Sequence, residues 1–291
     1  MKAIRFHEYG GPEVLREEEA ERPSPAEGEV LIRVAGTTFN QVDAGLRGGY
    51  LREVFPLRLP HVPGIDVAGT IAESGPGVTG FAPGDPVVAL LPMTATGATA
   101  EFVTAPAGVV GPAPAGIPLA DAAVLPAAAL TAWQAIHEHG AVQPGQKVLV
   151  IGAGGAVGRF AVQFARLAGA TVSGTATPRS AEAARSAGAE LADRPEGAFD
   201  LVFVAARVDE ATMAALAKLG PVLSITTPAV GGRNIYVRGD ATQLGEIARL
   251  VDAGQVSVLV GDRRPFSETA DVHRAAEKGE LPGKVVLYPN S

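Results

Sequence analysis

The residues from Lys147 to Gly158, KVLVIGAGGAVG, join an apolar run to a glycine-rich turn. Val148 to Ile151 reads as a buried strand and Gly152, Gly154 and Gly155 as a tight turn. Ala156 opens a helix with Gly158 in its first turn. A strand, turn and helix of this kind can hold a dinucleotide diphosphate. Residues without side-chain bulk let backbone N–H groups approach the phosphates, and the helix N-terminus adds partial positive charge. Gly154, Gly155, Ala156 and Val157 are expected to make that approach. The strict G-x-G-x-x-G spacing is not met, and the best register is Ala153-x-Gly155-x-x-Gly158. Gly158 is expected to permit close helix–strand packing.

A second strand is expected at Thr171 to Thr175. An acidic residue at the end of such a strand binds the ribose 2′-hydroxyl of NAD. Here the strand ends in Thr175-Ala176-Thr177-Pro178-Arg179-Ser180, with no acid. An acid would repel a 2′-phosphate, whereas the Thr177 hydroxyl and the Arg179 guanidinium would bind one. The expected cofactor is therefore NADPH rather than NADH. Thr177 before Pro178 also fits a helix N-cap with a solvated Arg179.

These residues need a scaffold. The first ~115 residues read as β-rich, with strand-like runs at Lys2 to Phe6, Glu29 to Gly36, Asp66 to Ser74, Pro86 to Leu91 and Ala100 to Thr104. Turn residues such as Gly75-Pro76-Gly77 separate them, and the spacing suggests a compact, barrel-like domain. After Pro112 to Pro118 the texture changes, with helical patterns at Leu119 to Leu125 and Ala127 to His137. From Lys147 strands alternate with helices (Val157 to Ala168, Ser180 to Ala187, Asp209 to Leu219, Thr242 to Ala253). Further strands fall at Asp200 to Val204, Pro221 to Thr226 and Ile235 to Val237. That alternation predicts a parallel, doubly wound sheet, so the fold class is α/β. A helix at Ser267 to Lys278 and a β segment at Gly283 to Tyr288 are expected to return to the first domain. The expected division is 1–115 with 262–291, and 116–261, with the ligand crevice between them.

Composition narrows the function. The chain has 291 residues, 47% hydrophobic, enough for two cores. With net charge −7 and no basic stripe, no nucleic-acid partner is expected. Cysteine is absent, which excludes disulfides, cysteine-ligated zinc and thiolate catalysis. No apolar run reaches the length of a membrane span and no secretory signal is visible, so a cytoplasmic protein without membrane partners is expected.

Several motifs, in order and correctly spaced, then resemble one family over nearly the whole chain. They are Asn40-Gln41-Val42-Asp43 with Arg47, Gly49 and Tyr50; Pro63 to Gly69; Gly80 to Val87; Ala100 to Val103; Ala127 to Trp133; Gly152 to Gly158; and Gly283-Lys284-Val285-Val286-Leu287. The chain resembles the zinc-independent quinone oxidoreductase branch of the medium-chain dehydrogenase/reductase superfamily. The resemblance implies a GroES-like β-barrel catalytic domain, a Rossmann NADPH-binding domain and frequent homodimers. It implies hydride transfer from NADPH to a small-molecule quinone or to the activated C=C of an enone. Zinc-dependent relatives place a catalytic Cys near the position of Asn40 and a His-Glu pair at Ile65-Asp66. No metal site is therefore expected, His61 notwithstanding.

By the same resemblance Asn40 contacts the nicotinamide ribose region and Thr131 the nicotinamide; each could instead be a capping group. Tyr50 is the candidate catalytic residue. Its phenol could donate a proton, or hydrogen-bond a developing enolate, as hydride reaches the β-carbon. It could equally be an aromatic at the cleft edge. Asp43 and Arg47 could form an i,i+4 pair. Trp133, His137 and His139 read as structural or solvated. Relatives often carry an Asp and a Gly-Gly pair after the fourth Rossmann strand, where this chain has Val204-Ala205-Ala206-Arg207-Val208. The alternatives to a quinone or enone reductase are a dedicated enoyl reductase on an acyl or polyketide intermediate, and an NADPH-binding sensor or structural protein with little turnover.

Overall fold

The computed structural model describes residues 1–226, 228 and 231–290. The chain divides into two compact units, Met1–Ala127 with Gly239–Ser291, and Ala128–Arg238. The first unit opens with β1 (Lys2–Arg5), β2 (Arg16–Glu19), β3 (Glu29–Thr38), α1 (Gln41–Arg47), β4 (Asp66–Ser74), β5 (Pro86–Leu90), β6 (Phe102–Pro106) and β7 (Val110–Pro112). β3 is the hub of this unit, antiparallel to both β4 and β6. Its alternating apolar residues Val30, Ile32 and Val34 pack with Val67, Ile71, Val87 and Val103 in one buried cluster.

A continuous helical stretch, Leu119–His139, carries the chain onward. It begins as a 3₁₀ turn (Leu119–Val124), becomes α2 (Leu125–Trp133) and ends as a π turn (Gln134–His139). The expectation that no apolar run is long enough to span a membrane is corrected here. This stretch passes by length and composition, but 83% of its apolar window is buried inside the protein, as in a core helix.

The second unit contains β8 (Lys147–Ile151), α3 (Ala156–Leu167), β9 (Thr171–Thr175), α4 (Ala181–Ala187), β10 (Glu190–Leu191), β11 (Leu201–Val204), α5 (Glu210–Leu216), β12 (Val222–Ser224) and β13 (Arg233–Asn234). These strands form one sheet in the order β10-β9-β8-β11-β12-β13, every pairing parallel. Strands buried on both faces read as unbroken apolar runs, as β11 does with all four residues buried. The order reverses on the two sides of β8, which puts a topological switch point at the carboxyl end of the glycine-turn strand.

The chain returns to the first unit through α6 (Ala241–Asp252), β14 (Asp262–Pro265), α7 (Thr269–Glu277) and β15 (Val285–Tyr288). β15 lies between β14 and β3, completing a seven-stranded sheet. The division thus falls at different residues from those expected. α6 belongs to the first unit because its Leu244 packs on Gly111 of β7, where even a Cβ would lie 2.7 Å away. Asp252 Oδ1 also accepts the Gly116 N–H at 2.7 Å. The strand expected at Ile235 to Val237 pairs instead at Arg233–Asn234, and β2, β7, β10 and β14 are additions to the expected set.

Candidate active site

The glycine turn closes on itself and on its neighbour strand. Gly152, at φ +84°, takes the left-handed conformation the turn requires. Its N–H reaches Thr175 Oγ1 at 3.3 Å, and the Ala153 N–H donates to the Thr175 carbonyl at 2.8 Å. Gly155 is the N-cap of α3, with no side-chain cap, so the first-turn N–H groups of Ala156 and Val157 remain open to an anion. Gly158 has the packing role expected: a Cβ there would lie 2.1 Å from the Gly152 carbonyl oxygen.

Gly154 has a second function. A Cβ on it would lie 2.2 Å from the carbonyl oxygen of Ser180. The glycine turn therefore rests directly on the acid-free loop after β9. In that loop the Thr177 and Ser180 hydroxyls are hydrogen-bonded at 3.0 Å, and Thr177 and Arg179 are exposed. Thr177 sits at the N-cap position of the 3₁₀ turn Pro178–Ser180 without a side-chain cap bond. The residues expected at a diphosphate and at a 2′-phosphate are thus brought together within one unit, and Ser180 joins them.

In the first unit Asn40 is held in a charged network. Its Nδ2 donates to Asp66 Oδ2 at 2.8 Å, and its Oδ1 accepts from Lys284 Nζ at 2.5 Å. Asp66, fully buried on β4, also accepts the Thr38 hydroxyl and, through Oδ1, the Ala127 N–H at 2.6 Å. Lys284 Nζ contacts the Phe39 carbonyl at 3.1 Å and Asp66 Oδ2 at 3.4 Å. The chemical role of Asp66 and Lys284 went unassigned in the sequence. The available signal was an acid and a lysine each beside a run of buried apolar residues.

Asp43 and Arg47 do not form the i,i+4 pair considered for them. Asp43 accepts the Asn40 N–H at 2.8 Å, capping α1, and the Gly64 N–H at 3.1 Å. Burial pushes its carboxyl up to about 7, with the nearby Asp66 charge adding to the shift and the two N–H groups and Lys284 opposing it. Arg47 turns the other way, to the Gly10 carbonyl at 3.1 Å, to His273 Nδ1 at 3.0 Å and to Glu277. His61 packs edge-on against Phe6, and burial lowers its imidazole to about 4.

Tyr50 follows α1 with its side chain exposed, 86% of it to solvent. Thr131 is buried on α2. Trp133 and His137 pack with Phe164 of α3, and burial lowers the His137 imidazole. In the altered loop Arg207 is exposed, and the Ala206 carbonyl accepts the Thr226 hydroxyl at 2.9 Å.

Residues 26–115 match the alcohol dehydrogenase GroES-like domain family and residues 167–287 the zinc-binding dehydrogenase family. A chloroplast envelope quinone oxidoreductase homolog of Arabidopsis thaliana is 32% identical over 99% of this chain and 98% of its own. The chain belongs to the quinone oxidoreductase branch of the medium-chain dehydrogenase/reductase superfamily. An NADPH-dependent alkenal/one oxidoreductase of the same plant is 32% identical over 99% of this chain and 80% of its own. Among solved structures, a mycobacterial protein complexed with NADPH is 28% identical with TM-score 0.84, covering 99% of this chain and all of that one.

The zinc of other superfamily members has no place here. An amide at Asn40, an apolar Ile65 and an Asp66 already bound to an ammonium do not make a tetrahedral zinc site. Among the described residues, no group of three or more His, Cys, Asp or Glu could hold a metal ion. A nicotinamide dinucleotide does fit: the uncapped α3 N-terminus, the Cβ-free turn and the adjoining hydroxyls and guanidinium are complementary to its phosphates.

Proposed function

We propose that this protein is an NADPH-dependent reductase that transfers hydride to a quinone or to the activated C=C bond of an α,β-unsaturated carbonyl. The carrying observation is the seating of the Gly152–Gly155 turn on the loop Thr177–Ser180, which has hydroxyls and a guanidinium where an NAD-selective site has an acid. The relatives named quinone oxidoreductase homolog and NADPH-dependent alkenal/one oxidoreductase, and the neighbour complexed with NADPH, support NAD(P)H in general. Thr177 and Arg179 favour the phosphorylated form.

Bound NADPH supplies the hydride. The Ala156 and Val157 N–H groups would hold its diphosphate, Thr177 and Arg179 its 2′-phosphate, and Asn40 and Thr131 its nicotinamide end. An electron-poor quinone or enone accepts hydride without a Lewis acid, which suits a site whose residues do not fit zinc. With hydride on the β-carbon of an enone, charge develops on the carbonyl oxygen and a proton must reach the α-carbon. By the family resemblance, the Tyr50 phenol would hydrogen-bond that oxygen or give the proton.

Fluorescence titration with NADPH and NADH, followed by turnover on quinones, enones and enoyl thioesters, tests the reading. NADPH should bind at least about tenfold more tightly, the equivalent of one charge-assisted contact, and be oxidised by a quinone or enone. Equal affinities would remove the NADPH assignment. Tight binding without oxidation by any acceptor would leave a binding protein in place of an enzyme.

A further inference from the structure

The Asn40 amide has a fixed orientation, and the charges around it explain why. An ammonium can only donate hydrogen bonds, and an ionised carboxylate can only accept them. Lys284 therefore requires the Asn40 carbonyl oxygen at 2.5 Å, and Asp66 requires its NH₂ at 2.8 Å. Turning the amide over would place NH₂ against the ammonium and C=O against the carboxylate, breaking both bonds at once. Lys284 is itself immobilised. Its side chain is 7% exposed, and its three donors face the Phe39 carbonyl, Asn40 Oδ1 and Asp66 Oδ2. Asp66 is pinned in turn by the Thr38 hydroxyl and the Ala127 N–H. The amide is left with one further N–H outside this network, while its oxygen side also takes the Asp43 N–H in the capping box of α1.

We propose that Lys284 is a positioning residue that fixes the Asn40 amide, with Asp66 as counter-anchor, so that its remaining N–H is presented to the cofactor in one orientation. The proposal rests on the reading of Asn40 as a nicotinamide-side contact. Lys284 touches no reacting atom in this scheme and acts only through Asn40. A neutral residue at 284 would take away the charged donor that holds the Asn40 oxygen, so that the amide is held less tightly, and would leave Asp66 buried without its cation.

A double-mutant cycle separates this role from simple support of the fold. Lys284→Met and Asn40→Ala are made singly and together, and NADPH Kd, kcat and thermal midpoint are measured for each. Lys284→Met should weaken NADPH binding about tenfold in the parent chain. In the Asn40→Ala background the same change should alter Kd less than about twofold, while still lowering the thermal midpoint. Equal fold-changes in both backgrounds, or a lowered midpoint with Kd unchanged, would overturn the proposal. Should Lys284→Met fail to fold, Lys284→Gln replaces it. Its amide can donate to Asn40 but can also accept, so it should give the same pattern with a smaller effect. A parent chain that binds no NADPH would bring down the functional reading and this inference together. A parent chain that binds NADPH but shows an additive cycle would remove the inference alone.

Discussion

Tyr50 and Asp43, seven residues apart, are opposite kinds of acid. Tyr50 is exposed, and the role proposed for it is a matter of chemistry. If the phenol assists proton delivery, Tyr50→Phe should lower kcat on an enone about 10²-fold or more, the usual scale of general acid catalysis. Quinone reduction can take its proton from water and should fall far less. Equal rates on an enone would end the catalytic assignment. Asp43 is buried, and its role is legible in stability. It keeps its proton to about pH 7 when folded but ionises near 3.8 when unfolded, so its contribution favours folding at low pH and is lost as pH rises. His61 and His273 stay neutral in the folded chain to about pH 4 and 3, against 6.5 unfolded, so they favour folding at higher pH and that contribution is lost on acidification. Between about pH 4 and 6.5 two imidazoles outweigh one carboxyl, and stability rises with pH. Asp43→Asn removes the opposing contribution and should steepen that rise, as read from urea midpoints across the window. An unchanged slope would show that Asp43 does not carry the extra proton.

At the scale of elements, the glycines of one turn divide into two kinds. A Cβ at Gly155 meets only the Gly152 carbonyl, at 3.3 Å, whereas one at Gly158 would meet the same oxygen at 2.1 Å. Gly155→Ala should therefore fold with little loss yet bind NADPH more weakly. Gly158→Ala should destabilise by about 1–3 kcal/mol, the cost of overpacking. Thermal midpoints and NADPH titration on both variants check this, and a reversed order would refute it. The strand–turn–helix around these glycines was readable because β8 and α3 each carry their own period, an unbroken apolar run and then an amphipathic face. β2 was not readable. Its sequence Arg16-Glu17-Glu18-Glu19 has no apolar alternation; it pairs with β1 as an antiparallel ladder flanked by the ion pairs Arg5–Glu18 at 3.2 Å and Lys2–Glu17 at 3.5 Å. The Asn40 network was legible only as a list of types. That Lys284 would meet Asn40, 244 positions away, is set by the pairing of β15 with β3. No local pattern encodes such a pairing.

The molecule as a whole interrupts one unit to build another. Residues 128–238 form the second unit, and the first closes only when β15 pairs with β3, joining Val286 to Thr38. α7 is tied in at the same end, where Arg47 of α1 reaches His273 and Glu277. This arrangement dictates an order of events on the ribosome. The second unit is fully synthesised while the hub strand β3 still lacks one of its partners, and units tend to fold as they become complete. Nascent chains stalled just before Val285, with the second unit already outside the exit tunnel, should protect residues 128–238 from protease while residues 1–127 stay cleavable. Protection of both regions at that length would mean that the N-terminal strands close without β15. During translation, the late-made strand leaves the β3 edge open for the longest interval, and it is at that edge that a newly made chain is most exposed to pairing with a neighbour.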